Sequence, residues 1–137
     1  MSTSLGELSA SPAISVILPV LNEEPHLEES VSAILSQDYQ GIFEVILALG
    51  PSQDRTNEIA NALAARDNRV KLVSNPTGKT AAGLNLAIAS SQSSVIVRVD
   101  GHAKIPNNYL SLAIKVLRET GAVNVGGVMA AEGISKF

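Results

Sequence analysis

Cysteine and tryptophan are absent from this sequence, and phenylalanine and tyrosine together make up only 3% of it. Without cysteine there is no disulfide framework and no thiolate metal site. That usage fits a reducing cytoplasm. A core poor in aromatics must be built from Val, Ile, Leu and Ala, which suits parallel strands covered by helices. No apolar run reaches the ~18 residues that a membrane-spanning helix needs. Excess positive charge is also missing. The net charge of −3 argues against nonspecific binding to nucleic acid, which requires a basic surface. The first residues, MSTSLGELSASPA, lack the basic start and apolar stretch of a signal peptide, so residues 1–12 are expected to be a flexible lead-in.

What remains is 137 residues, 45% of them hydrophobic, enough for one domain over residues 13–137. Short apolar runs alternate with segments of helical period. Ile14–Leu18 reads as a buried strand, and Asn22-Glu23-Glu24-Pro25 as a helix start capped by Asn22, with Leu27, Val31, Ile34 and Leu35 on one face. Phe43–Leu49 is a second strand. Asp54 can cap a helix with Ile59, Ala62 and Leu63 inward. Val70–Val73 is a third strand, and Thr80 can cap a helix with Leu84, Ala87 and Ile88 inward. Val95–Val99 is a fourth strand. Pro106-Asn107 opens a helix with Leu110, Ala113, Ile114 and Leu117 inward, ending at Gly121. Val123–Val128 is a fifth strand. This alternation predicts an α/β fold, Rossmann-like, with a mainly parallel sheet and helices on both faces. Ligands of such sheets bind at the carboxyl ends of the strands, near a switch in strand order.

Polar residues gather at those ends. Pro19, Asn22 and Glu23 follow the first strand, where an amide and a carboxylate can read a base or ribose. Taken alone, they read more readily as a helix cap. Arg98-Val99-Asp100-Gly101-His102 ends the fourth strand. Asp100 and His102 could share one divalent ion, the carboxylate suiting Mg2+ or Mn2+ and the imidazole tilting toward Mn2+. A polar turn with an incidental histidine is the other reading. Gly78-Lys79-Thr80 suggests a phosphate loop, but Val73 stands where a P-loop needs its first glycine. No Gly-x-Gly-x-x-Gly follows the first strand, which excludes the dinucleotide fingerprint. His26 has no nucleophile partner and is expected to be an exposed residue of the first helical turn.

In this order and spacing, Ile14–Glu24, Glu44–Thr56, Asn75–Ala89 and Val95–Tyr109 resemble family 2 glycosyltransferases of the GT-A fold. The Asp-Gly-His-Ala stretch looks most like enzymes of succinoglycan-type exopolysaccharide assembly. The resemblance implies that Pro19, Asn22 and Glu23 lie beside the nucleoside of a nucleotide-sugar donor. Asn75, Gly78, Lys79, Ala82, Leu84 and Asn85 match a segment under the nucleotide. Asp100 matches the first aspartate of the family's Asp-x-Asp motif, and His102 occupies the place of the second, which holds the metal on the diphosphate. Leu49-Gly50-Pro51-Ser52 stands where the family often has Asp-Asp-Gly-Ser after the second strand, a departure at the usual contact to the base.

The implied activity is inverting transfer of a sugar, assisted by a divalent cation, Mn2+ or Mg2+, from a nucleoside-diphosphate sugar, with UDP favoured. The acceptor would be a glycan or a lipid-linked molecule. The implied setting is the cytoplasm, at the inner face of the plasma membrane for a longer, membrane-associated protein. By the same resemblance the catalytic base and the acceptor-binding segment are expected beyond Phe137, and the chain alone is expected to bind nucleotide weakly and turn over little. Two rivals remain. A nucleotidyltransferase would need a glycine-rich loop where Leu18–Asn22 stands. A noncatalytic nucleotide-binding or assembly module would suit the change at Leu49-Gly50 and the missing base.

Overall fold

A computed structural model describes residues 11–120, 124–125 and 128–130. The elements are β1 (Ile14–Val20), α1 (Leu27–Leu35), β2 (Phe43–Leu49), α2 (Thr56–Arg66), β3 (Val70–Ser74), α3 (Thr80–Ser90), β4 (Val95–Arg98), α4 (Tyr109–Thr120), β5 (Asn124–Val125) and β6 (Val128–Ala130). They form one sheet in the order β3-β2-β1-β4-β6-β5. The first four of these strands run parallel.

Side chains alternate across each strand, and the alternation assigns the two faces. Ile14, Val16, Leu18 and Val20 of β1 join Val45 and Leu47 of β2 and Val95 and Val97 of β4 against α1, α2 and α4. Ile17, Ile46 and Ile96 point the other way, onto Leu84 and Ala87 of α3. Both faces are therefore covered, which is why these strands read as near-continuous apolar runs. The expected inner face of α4, Leu110, Ala113, Ile114 and Leu117, is buried throughout.

Four local expectations change. The single strand over 123–128 is instead the two short strands β5 and β6, with Val125 opposite Val128 and β6 antiparallel to β4. Between them the sequence has Gly126-Gly127, a composition that favours chain reversal over continuation. α1 begins at Leu27, and Asn22 does not cap it; Asn22 sits in the left-handed region at φ 53°. Pro25 explains the delay, because the residue before a proline is pushed out of helical geometry. In α2, Ala62 is exposed, and the buried stripe is Thr56, Ala60 and Leu63. In α3, the Thr80 side chain makes no cap. The expected cap at Gly121 and most of the lead-in over 1–12 lie outside the described residues. No helix among the described residues is long and apolar enough to cross a membrane.

Candidate functional site

The chain runs outward from β1 to β2 and β3, then returns to place β4 on the other side of β1. Loops leaving β1 and β4 therefore diverge, and a crevice opens above the carboxyl ends of these strands. Its volume is about 190 Å3, and three chain segments wall it.

The first wall is the β1–α1 loop with Pro19, Leu21 and Glu23. Its backbone is stitched to the β2–α2 loop. Ser52 Oγ accepts the Asn22 N–H at 2.9 Å, and Asn22 Oδ1 accepts the Gln53 N–H at 2.8 Å. Thr56 Oγ1 accepts the Glu23 N–H at 2.8 Å, and Glu24 Oε1 accepts the Arg55 N–H at 2.9 Å. Asp54 closes the set. Its carboxylate accepts the Thr56 hydroxyl, the Thr56 N–H at 2.9 Å and the Glu24 N–H at 3.3 Å. Asp54 is not the N-cap, which is Arg55 and has no side-chain cap bond; from one residue earlier it fastens the start of α2 through Thr56 and ties it to the β1–α1 loop.

The Thr56 hydroxyl, helped by these backbone N–H groups, holds the Asp54 carboxyl below its ordinary range. A depressed folded value means that this contribution is present above the unfolded carboxyl value of about 3.9 and fades as pH falls through the folded one. Urea unfolding should accordingly show wild type more stable than Asp54→Ala near neutrality, with the gap closing below roughly pH 4. A gap that persists unchanged in acid would rule out the ionised carboxylate as its cause.

The second wall is the β3–α3 loop. Asn75 is buried, with 2% of its surface exposed. Its Nδ2 donates to the Lys79 carbonyl at 3.0 Å, and its Oδ1 accepts the Thr77 hydroxyl at 3.3 Å. Gly78 turns the chain at φ 71°, in the region that favours glycine. This loop presents Gly78 and Thr80 to the crevice.

The third wall ends β4. Arg98 and Asp100 form an ion pair at 3.7 Å. Glu23 Oε2 lies 3.1 Å from His102 Nδ1, joining the first wall to the third. Gly101 permits this approach: a Cβ there would lie 3.1 Å from the Glu23 Cγ.

Of the residues expected from the sequence, Pro19, Glu23, Asn75, Gly78, Asp100 and His102 meet in this crevice. Asn22 does not line it, because its side chain is turned to the β2–α2 loop. Lys79 and Asn85 are exposed at and within α3 and do not line it either. Arg98 was missed. Its signal was available: an arginine ending an otherwise apolar, buried strand must emerge at the strand's carboxyl end. Among the described residues no group of three His, Cys, Asp or Glu side chains converges as a metal cage. Asp100 and His102 offer one carboxylate and one imidazole, a set that suits a cation only if ligand oxygens or water complete its shell.

A second cavity of about 360 Å3 shares Asn75 with the first and lies between the ends of β2 and β3. Asn57 lines it. Its Nδ2 donates to the Gly50 carbonyl at 3.1 Å, while its buried Oδ1 has no hydrogen-bond partner among the described residues.

Comparison with known proteins decides what this arrangement belongs to. Residues 15–137 match Glycosyl transferase family 2. The chain belongs to that family. It is 32% identical over 136 residues to the succinoglycan biosynthesis protein ExoA of Rhizobium meliloti, covering 98% of this chain and 41% of that protein. It is 31% identical over 121 residues to glycosyltransferase AglE of Haloferax volcanii, covering 87% of this chain and 40% of that protein. The chain thus spans about two fifths of the length of these curated relatives. Among solved structures, mannosyltransferase PcManGT from Pyrobaculum calidifontis, in complex with GDP-Man and Mn2+, superposes with a TM-score of 0.71 at 28% identity, over 85% of this chain and 34% of that one. S. aureus TarS 1-349 in complex with UDP-GlcNAc gives 0.69 at 25% identity, over 78% of this chain and 31% of that one. As a family 2 domain, the chain has the expected GT-A architecture, and the β1–β4 crevice is its switch point.

Proposed function

We propose that this family 2 chain forms the donor-binding part of an inverting glycosyltransferase. Its donor is a nucleoside-diphosphate sugar, with UDP favoured, and its acceptor a glycan or lipid-linked hydroxyl. The observation that carries this reading is the meeting of Glu23, Arg98, Asp100 and His102 at the switch-point crevice. In the reaction the acceptor oxygen forms a bond to the anomeric carbon as the bond to the diphosphate breaks. The diphosphate departs with the electron pair, and a base takes the hydroxyl proton. The developing negative charge is what the site must stabilise.

Asp100 and His102 would hold a divalent cation, Mn2+ or Mg2+, that neutralises the departing diphosphate. Arg98, whose side chain is about one third exposed beside Asp100, supplies permanent positive charge and donors suited to phosphate oxygens. The neighbouring cavity between the ends of β2 and β3 receives the base. Glu23 and Asn75 organise the walls.

Calorimetric titration with UDP, and with GDP as comparator, tests the reading with and without Mn2+. Cation-dependent binding of either nucleotide is the expected result, and the better ligand names the base. Failure of a folded chain to bind both would favour a noncatalytic assembly module. Arg98→Gln should weaken nucleotide binding roughly tenfold, the loss of one charge-assisted contact to phosphate. Its thermal unfolding should barely change, because an ion pair this exposed contributes little to the fold.

A further inference from the structure

The role of Glu23 is unexplained by helix capping, since no side chain caps α1. The residue is nevertheless held firmly. Thr56 Oγ1 accepts its N–H, and its own carbonyl accepts the N–H groups of His26 at 3.0 Å and Leu27 at 2.9 Å. Its side chain lies against Gly101, and only 19% of it is exposed, against 61% for His102. An anchored carboxylate thus meets an exposed imidazole at Nδ1.

An ionised carboxylate can only accept a hydrogen bond, whereas a neutral imidazole donates from one nitrogen and accepts at the other. The contact is attractive only when Nδ1 carries the proton. We propose that Glu23 is a positioning residue that locks His102 in the Nδ1–H tautomer, leaving Nε2 bare as a nitrogen ligand for the cation on the donor diphosphate. Histidines that bind metals are commonly oriented in this way by a carboxylate on their other nitrogen. Because imidazole nitrogen suits Mn2+ better than Mg2+, the pair also sets the preference between these ions. The proposal rests on the donor-site reading above, but its first test does not.

That test is nitrogen NMR of the metal-free 137-residue chain carrying His26→Gln, which leaves His102 as the single histidine. It is run about two units above the ordinary imidazole value of about 6.5. His102 should appear as the Nδ1–H tautomer. Glu23→Ala should return it to the Nε2–H form that free histidine prefers, while Glu23→Gln, whose amide oxygen still accepts, should keep it. Calorimetry should then show Mn2+-supported UDP binding weakened roughly tenfold or more in Glu23→Ala and largely kept in Glu23→Gln. Nε2–H in the chain with Glu23 intact overturns this proposal and leaves the donor-site reading standing. Unchanged Mn2+ dependence in Glu23→Ala overturns it as well. Nδ1–H with no Mn2+ effect on nucleotide binding defeats the donor-site reading and, with it, the ligand role of Nε2.

Discussion

Asp100→Ala is expected to abolish the effect of Mn2+ on nucleotide binding while leaving the fold intact. Asp100 stands just beyond β4 with 55% of its side chain exposed, and its ion pair to Arg98 spans 3.7 Å. A pair so long and so open stabilises the chain by well under ~1 kcal/mol, so urea or thermal unfolding should match wild type. Binding is another matter. Without the carboxylate, His102 alone would face the cation with a neutral ligand, and a single nitrogen cannot recruit a hard divalent ion to a diphosphate. Calorimetry with UDP and Mn2+ should lose at least tenfold in affinity, or about 1.4 kcal/mol. Metal-free binding should move slightly the other way, because Arg98 loses its carboxylate neighbour and is freed for phosphate. Equal Mn2+ enhancement in wild type and variant would remove Asp100 from the cation site.

Thr56→Val is the second large effect, and it falls on stability first. The Thr56 side chain is fully buried at the start of α2. Its hydroxyl accepts the Glu23 N–H and donates to Asp54, so one oxygen joins the loops after β1 and β2. Valine has the same shape but neither function. It strands the Glu23 N–H in a part-buried position and leaves Asp54 short of its main donor. An unsatisfied buried group costs about 1–3 kcal/mol, and urea unfolding should report a loss in that range. Glu23 should also lose its anchor, so nucleotide binding should weaken in the folded variant. Thr56→Ser, which restores the hydroxyl, should recover most of both. If valine is tolerated without loss, the loop tie is not a determinant of the crevice.

Both predictions concern groups whose importance was only partly legible in the sequence. Asp100 could be read directly, because an apolar β-branched run ending in Asp-Gly marks a strand terminus wherever it occurs. Thr56 could not. A threonine two residues after an aspartate reads as a local helix start, and its true partner, Glu23, lies 33 residues away. Asn22 shows the same limit from the other side. Its sequence context reads as a cap or a ligand contact; it caps no helix, and its amide oxygen accepts a backbone N–H of a different loop. Lys79 reads as a phosphate ligand from its neighbours Gly78 and Thr80; in the structure it is exposed, and those two neighbours line the crevice.

The sequence by itself determined the α/β class, the parallel order of the first strands, the inner face of α4 and the strand ends at which polar side chains gather. These follow from period and punctuation, which are local: apolar alternation, helical spacing, proline and glycine act within a few residues. Only the tertiary structure decided that β1 and β4 are neighbours, that Glu23 reaches His102 across 79 residues, that Arg98 joins the crevice, and that the residues after α4 form an antiparallel pair. Those outcomes depend on strand order and on side-chain hydrogen bonds between loops, which no local pattern encodes, because their energy exists only once distant segments have been brought together by the core.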